Sequence, residues 1–379
     1  MKIVCSKSAL TVGVQTVYRA VSSKANIQAL SGILMETTTK GLRLVAYDME
    51  LGIETFVPVV VEREGSFVFP ARYIAEIVRK ITHSEVVIDF NEADMSVKVV
   101  SGSVDFDIKV MSAKDFPNLP DIASAQAWSL KEAEMKKMIK KTSIAVASQT
   151  DDSRTVLTGM LLAISPDTLT MVATDSFRLA HREIGFLSGL DNPKSVIIPA
   201  KTLIEVERNL SEDADKELEL ALTERNVIIK LGVTTYISRI LEGQFPNYKQ
   251  VFQQNIPVHI SMDKNLFLSS VERVSLLCTD DLSSIKFVYT GEEGSSSGFI
   301  TITANTPEVG QAKEDIAVSI EGHADVTVAL RARYIKDVLK IAEGDDVTIN
   351  FVSARHAMEI KDNNDENYTY LVMPVTSVY

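Results

Sequence analysis

Ala332-Arg333-Tyr334-Ile335-Lys336-Asp337-Val338-Leu339-Lys340-Ile341 nearly duplicates a stretch far upstream, Ala71-Arg72-Tyr73-Ile74-Ala75-Glu76-Ile77-Val78-Arg79-Lys80. The alternating runs that follow, Val86-x-Ile88-x-Phe90 and Val347-x-Ile349-x-Phe351, keep the same offset without a gap. A weaker third copy lies between them: Ala200-Lys201-Thr202-Leu203-Ile204-Glu205-Val206, then Leu218-Glu219-Leu220-Ala221-Leu222. A register that survives from a helix-like decamer into the next strand marks an internal repeat. Its period, roughly a third of the chain, is that of a small domain and too long for a solenoid unit.

Other landmarks keep step with it. Gly32 and Asp48 recur as Gly159 and Asp175, and Phe116-Pro117-Asn118 recurs as Phe245-Pro246-Asn247. Met373-Pro374 stands where a third Phe-Pro would fall. Each repeat reads as two helices and about eight short strands, with helices expected near 8–21, 71–81, 131–146, 264–278 and 332–342. Val12, Val14, Val17 and Val21 supply the apolar side of the first. Strands with one polar face beside helices predict an α+β fold of three repeated domains, helices packed on antiparallel sheets. The domains are expected over 1–122, 128–253 and 257–379, with linkers near 119–127 and 253–257.

Hydrophobic residues make up 45% of the chain, enough for packed cores in all three domains. No apolar run is long enough to span a bilayer, and Met1-Lys2-Ile3-Val4 opens directly as a strand rather than as a signal peptide. The two cysteines, Cys5 and Cys278, form no framework, which fits a reduced, cytoplasmic setting. No Walker loop, GxGxxG, HExxH, GxSxG or CxxC pair is present, and the five histidines have no metal-ligand spacing. Neither catalysis, nor a metal, nor a cofactor is expected. Asp48 and Asp175 are read as ordering the turn after a strand rather than as a catalytic carboxylate pair. Trp128 is expected to pack beside a helix.

Formal charge is -12, opposite to the usual nucleic-acid footprint. Local placement qualifies that figure. On the helix beginning at Lys131, the helical wheel sets Met135, Met138, Ile139 and Val146 against Lys136, Lys137, Lys140 and Lys141. In the last helix Arg333, Lys336 and Lys340 lie away from Tyr334, Ile335, Val338 and Ile341; Arg72, Arg79 and Lys80 charge the equivalent first-repeat helix, and Lys201 the middle one. Basic helices recurring in an acidic chain suit sequence-independent contact with a polyphosphate.

With the repeat in place, further residues become recognisable. Val172-Ala173-Thr174-Asp175-Ser176-Phe177-Arg178-Leu179-Ala180 and Leu241-Glu242-Gly243-Gln244-Phe245-Pro246-Asn247-Tyr248 resemble motifs of the bacterial sliding-clamp family, the beta subunits of DNA polymerase III. Lys114-Asp115-Phe116-Pro117-Asn118-Leu119, Ile302-Thr303-Ala304-Asn305-Thr306-Pro307-Glu308 and Val372-Met373-Pro374 support the resemblance along the full chain. It implies a head-to-tail dimer closed into a six-domain ring, helices lining the hole, which encircles double-stranded DNA and has no catalytic activity. The basic helix faces would then meet phosphates, together with Lys24 and Arg154. Asp151 and Asp152 depart from the family's pattern in the loop before Arg154.

The resemblance also implies an apolar cleft between the second and third domains, matched by Leu157, Thr174, Ser176, Phe177, Arg178, Leu179, Pro246, Gln250, Val251, Leu371, Val372, Met373, Pro374 and Val375. Short peptides carrying Gln and a Leu-Phe pair would bind there, from the replicative polymerase, the clamp-loader ATPase, repair polymerases and ligase. Phe177, Gln250 and Thr376 depart from common family residues and the chain runs on through Ser377-Val378-Tyr379, so peptide preference stays open. Phe106 and Ile108 match one side of the family's dimer contact, Leu276 and Leu277 the other. Two competing readings are a monomeric three-domain peptide-binding scaffold and a carboxylate-dependent hydrolase using Asp48 or Asp175.

Overall fold

The computed structural model describes residues 1–22, 26–120, 126–148, 152–278, 284–291, 296–306, 309–322 and 325–375. The first repeat runs β1 (Lys2–Ser6), α1 (Lys7–Tyr18), β2 (Gly32–Thr38), β3 (Gly41–Tyr47), β4 (Leu51–Val57), β5 (Val59–Arg63), β6 (Ser66–Pro70), α2 (Ala71–Lys80), β7 (Glu85–Asn91), β8 (Ser96–Ser101) and β9 (Val104–Lys109). The second follows as β10 (Gln126–Lys131), α3 (Glu132–Ser143), β11 (Gly159–Ile164), β12 (Thr168–Thr174), β13 (Arg178–Gly185), β14 (Lys194–Pro199), α4 (Ala200–Glu207), β15 (Glu217–Leu222), β16 (Asn226–Leu231) and β17 (Thr234–Arg239). The third comprises β18 (Val258–Asp263), α5 (Lys264–Val274), β19 (Ser284–Gly291), β20 (Ser297–Thr306), β21 (Gly310–Glu321), β22 (Asp325–Arg331), α6 (Ala332–Ile341), β23 (Asp346–Phe351), β24 (Met358–Asp362) and β25 (Tyr368–Val372). The order strand, helix, strands (five in the first repeat, four in the others), helix, three strands recurs three times, as the sequence repeat requires.

Two compact units result: Met1–Met135 with Glu205–Ile240, and Lys136–Ile204 with Leu241–Tyr379. In the first, a five-stranded sheet has the order β5-β1-β7-β8-β9, and an eight-stranded sheet the order β10-β15-β16-β17-β4-β3-β2-β6. The second holds one twelve-stranded sheet, β14-β11-β12-β13-β25-β24-β23-β18-β21-β20-β19-β22. All strand pairs are antiparallel. Sheets cross from one repeat to the next where β4 pairs with β17 and β13 with β25, so each seam is a hydrogen-bonded ladder.

Local chemistry sets the helix ends. Ser6 Oγ accepts from Ala9 N at 3.1 Å and Asp263 Oδ1 from Leu266 N at 2.6 Å, satisfying donors the first helical turn leaves free. Helix α1 buries Leu10, Gly13, Val14 and Val17 and packs on α2; α5 packs on α6 in the same way. Each of those aliphatic side chains contributes about 1.5–3 kcal/mol as an upper bound. Val12, expected on that apolar side, is 65% exposed, because at 100° per residue it falls on the side of the helix opposite Leu10, Val14 and Val17. Helix α3 stops at Ser143 rather than 146, and the α-helical part of α5 stops at Val274, the chain tightening into a 3-10 turn over Ser275–Leu277. Trp128 is buried.

The repeated glycines have a shared cause. A Cβ on Gly32 would stand 2.8 Å from Phe69 O, and one on Gly159 would stand 2.8 Å from Ile198 O. Only glycine lets these strands approach their neighbours so closely.

Candidate functional site

Strands β11, β12, β13, β14 and β25 of the second unit meet at one apolar cluster: Leu161, Val172, Leu179, Ile197, Ala357 and Leu371, with Val156, Leu241, Phe245, Tyr248 and Phe252 packed against it. Strand pairing puts Leu179 opposite Leu371 and Arg178 opposite Val372. The fourteen expected cleft residues separate by depth around this cluster. Leu157, Thr174, Leu179, Leu371 and Val372 are buried, Leu179 and Leu371 within the cluster itself, while Val372 shares the other face of the sheet with Arg178. Ser176, Phe177, Pro246, Gln250, Val251 and Met373 are exposed around the cluster, and Pro374 and Val375 are half-buried. Phe177 is 50% exposed and Met373 41%. Met373 N donates to Phe177 O at 2.8 Å, so the two are held together by backbone.

The rim turn is built by Asp175. Its Oδ1 accepts from Phe177 N at 2.9 Å and Arg178 N at 3.0 Å; Asp48 Oδ1 does the same for Glu50 N and Leu51 N. Both aspartates therefore play the turn-forming role read from the sequence. Ser176 sits in the turn at φ 78, a left-handed conformation that few non-glycine residues adopt. Its Oγ accepts from Arg154 Nη1 at 2.7 Å, which brings Arg154 to the cleft rim.

Arg178 is buried and its guanidinium is fully engaged. Nε reaches Asp175 Oδ2 at 3.0 Å, and Nη1 reaches Asp337 Oδ2 at 2.6 Å. It also lies 4.3 Å over the Tyr334 ring. Burial alone would favour losing its proton, but Tyr370 and the Asp337 and Asp175 carboxylates outweigh that and hold it charged. Arg331 continues the stack, 5.3 Å from Tyr334 and 4.3 Å from Phe177, with Nη1 donating to Tyr334 Oη at 2.6 Å. The layered order Arg178, Tyr334, Arg331, Phe177 thus props the exposed ring from below through cation–π contacts. Sequence reading missed Arg331, Tyr334 and Asp337 as cleft residues; nothing local singles them out, because their partners lie far away along the chain. His181 packs tilted against Tyr248 at 5.9 Å and edge-on to Phe252 at 5.3 Å, and burial there pushes its pKa down.

The expected DNA-facing cations do not behave alike. Arg72, Arg79, Lys80, Lys140, Lys201, Arg333 and Lys340 are exposed on their helices. Glu76 engages Arg79 and Lys80, and Glu272 lies 3.4 Å from Lys340. Lys136 is half-buried, and so is Lys336, which donates to Ser275 Oγ at 3.3 Å. Lys24 lies outside the described residues.

Lys141 contradicts the expectation. Its side chain is fully buried, 2.6 Å from Asp362 Oδ2, 3.7 Å from Asp365 and 5.2 Å from the Tyr368 ring centroid. Lys137 shares the network, 2.9 Å from Glu343 and 3.7 Å from Asp365. The wheel explains half of this, since residue 141 lies only about 60° round the helix from Met138. The rest is tertiary: the acids that receive Lys141 come from the last repeat. Burial by itself would raise the Asp362 carboxyl. Lys141 and the backbone N–H groups of Glu343 and Gly344 overcome that and lower it to about 2.

At the expected dimer positions, Phe106 and Ile108 are half-buried on β9, which is an edge of the five-stranded sheet. Leu276 is 81% exposed and Leu277 half-buried in the 3-10 turn, whose Leu277 O accepts from Thr306 Oγ1 at 2.6 Å. Among the described residues no cluster of three or more His, Cys, Asp or Glu could hold a metal. Among them, too, no helix is long and apolar enough to cross a membrane.

Family models match the whole length in order. The DNA polymerase III beta subunit N-terminal domain matches residues 1–120, its central domain 129–247 and its C-terminal domain 249–376. The chain is 30% identical over 384 residues to the beta sliding clamp of Bacillus subtilis, covering 99% of each, and 28% identical to that of Staphylococcus aureus over 366 residues, covering 94% of each. The crystal structure of the Bacillus subtilis DNA polymerase sliding clamp superposes with TM-score 0.91 at 30% identity, over 100% of this chain and 99% of that one. The DNA polymerase III subunit beta of Pseudomonas aeruginosa gives 0.90 at 25% identity, over 99% and 100%. The three α+β repeats, in this order and over this length, place the chain in the DNA polymerase III beta subunit family, the DNA sliding clamps that serve the replicative polymerase.

Proposed function

We propose that this clamp works as a head-to-tail homodimer closed into a six-domain ring around duplex DNA, itself non-catalytic, and that partners dock in the cleft at Phe177 and Met373. The observation that carries the docking half is that Phe177 and Met373, both exposed, are tied by a backbone hydrogen bond beside the apolar cluster that holds Leu179 and Leu371. Peptide anchors of Leu and Phe type gain most of their affinity by filling an apolar depression. The replicative polymerase, the clamp-loader ATPase, repair polymerases and ligase would compete for it. The setting is cytoplasmic, at the nucleoid.

Ring closure needs two unlike surfaces. The outer side of β9, carrying Phe106 and Ile108, supplies one. The 3-10 turn with Leu276 and Leu277 supplies the other. Beside that turn, β21 pairs with β18 only over Ser319–Glu321, so among the described residues its earlier part has a strand on one side alone. Two open strand edges flanked by apolar side chains suit antiparallel or parallel addition across a subunit boundary.

Holding by encirclement requires little affinity. Arg72, Arg79, Lys80, Lys140, Lys201, Arg333 and Lys340 would meet phosphates diffusely, giving a salt-sensitive attraction that still permits sliding. Small-angle scattering across a concentration series tests the ring. A mass about twice 41.7 kDa with the profile of a hollow disc is expected. A single-chain mass at every concentration overturns it.

A further inference from the structure

We infer that the seam between the first and second repeats is a second copy of the peptide cleft, filled from within by Tyr47 and Leu119. This rests on reading the Phe177–Met373 cleft as a peptide site.

The two seams share their framework to the hydrogen bond. Asp48 and Asp175 cap the same turn, as described above. Met49 at φ 76 and Ser176 at φ 78 occupy the same left-handed position. Arg239 N donates to Glu50 O at 2.9 Å, as Met373 N does to Phe177 O. Gly52 faces Ile237 across β4 and β17 where Leu179 faces Leu371 across β13 and β25. Isolated bridges Val68 to Met111 and Ile197 to Leu241 close the matching edges.

The contents differ at three positions. Thr174 is replaced by Tyr47, whose ring is buried and whose hydroxyl donates to Met49 O at 3.3 Å. Leu179 is replaced by Gly52. Tyr248 is replaced by Leu119, which packs on both apolar clusters of this seam, the one holding Tyr47 and the one holding Ile237. A Cβ on Gly52 would stand 2.5 Å from Leu119 Cδ2 and 3.4 Å from Tyr47 Cδ2, so glycine is what lets the two side chains lie in this position. At the second seam Tyr248 packs on the cluster together with His181 and Phe252, and Thr174, in place of a buried ring, spends its hydroxyl on Arg178 O at 2.7 Å. Leu119 thus stands to the first seam as a peptide's apolar anchor would stand to the second. The ligand class of the opened site would be the same, a short peptide with an apolar anchor.

The test is peptide stoichiometry by isothermal titration, using a synthetic peptide with Gln followed by a Leu-Phe pair. The wild-type chain is expected to bind one peptide, and Met373→Asp with Phe177→Asp none. Adding Tyr47→Thr and Leu119→Ala to the wild-type chain should give two sites per chain, and adding them to the Met373→Asp, Phe177→Asp background should restore one. A wild-type chain that binds no peptide overturns the cleft reading. A wild-type chain that binds one, with opened variants that melt as the wild type does and gain none, overturns this inference alone. Should the opened variants not fold, Thr174→Tyr transplants the filling to the other seam. It should weaken peptide binding by at least ~30-fold, since a blocked anchor pocket removes a hot spot. Unchanged affinity in Thr174→Tyr, with an intact melting transition, overturns the inference.

Discussion

Lys141 Nζ stands 2.6 Å from Asp362 Oδ2, and neither side chain is more than 1% exposed. A buried pair of this kind adds little net stability over an apolar pair of the same shape, but removing one partner leaves a bare charge in the interior. Lys141→Met should therefore destabilise the chain by about 3–5 kcal/mol, and Lys141→Met with Asp362→Asn by clearly less. Urea unfolding followed by circular dichroism reads both. Equal loss in the single and double variants would show that the pair is not the source.

Acid should find the same site. Asp362 is held at about 2, below an ordinary carboxylate, because Lys141 and two backbone N–H groups outweigh its burial. A depressed carboxyl lends stability that is present in full above the unfolded pKa near 4 and is lost as pH falls toward 2. At neutral pH that contribution is about 2 kcal/mol. The melting temperature of the wild type should drop more steeply between pH 4 and 2 than that of the Lys141→Met, Asp362→Asn variant. Parallel curves would count against the assignment.

At the cleft, Arg331→Ala should act through Phe177 without touching the peptide. The guanidinium lies 4.3 Å from the Phe177 ring and keeps it upright. Loss of that prop should weaken peptide binding by roughly 3–10-fold, against a loss of 30-fold or more for Phe177→Ala. Fluorescence anisotropy with a labelled peptide separates the two. Equal effects would make Arg331 a direct contact.

Leu276→Asp with Leu277→Asp should halve the native mass while leaving the melting of the single chain almost unchanged, because Leu276 is already solvent-exposed. Light scattering after size exclusion measures this. An undiminished mass would remove these leucines from the subunit boundary.

On DNA, replacing exposed Lys140 or Arg333 by Ala should reduce the slope of log affinity against log salt by roughly one ion each. Short duplexes at low ionic strength provide the measurement. No change in slope at either position would take these helices off the DNA.

The repeat, the α+β architecture, the turn role of Asp48 and Asp175 and the burial of Trp128 were legible because each has a local cause: periodicity, an Asx turn, an apolar flank. The exposure of Phe177 and Met373 was not legible, since apolar letters do not reveal depth; the resemblance supplied only their place along the chain. Lys141 was misread because its burial depends on acids from the far end of the chain. Val12 was misread because a run of valines at close spacing offers two apolar faces to a helix that can bury one. Tyr47 and Leu119 gave no signal alone; they acquire meaning only when two seams are laid over each other.

The ladders that join β4 to β17 and β13 to β25 put the repeat and the folding unit out of phase. A fragment cut at a repeat boundary would carry a raw strand edge, a template for aggregation rather than a free-standing module. Each repeat is completed by the edge of its neighbour, so a change in the strand register at one seam reaches the sheets of two repeats at once.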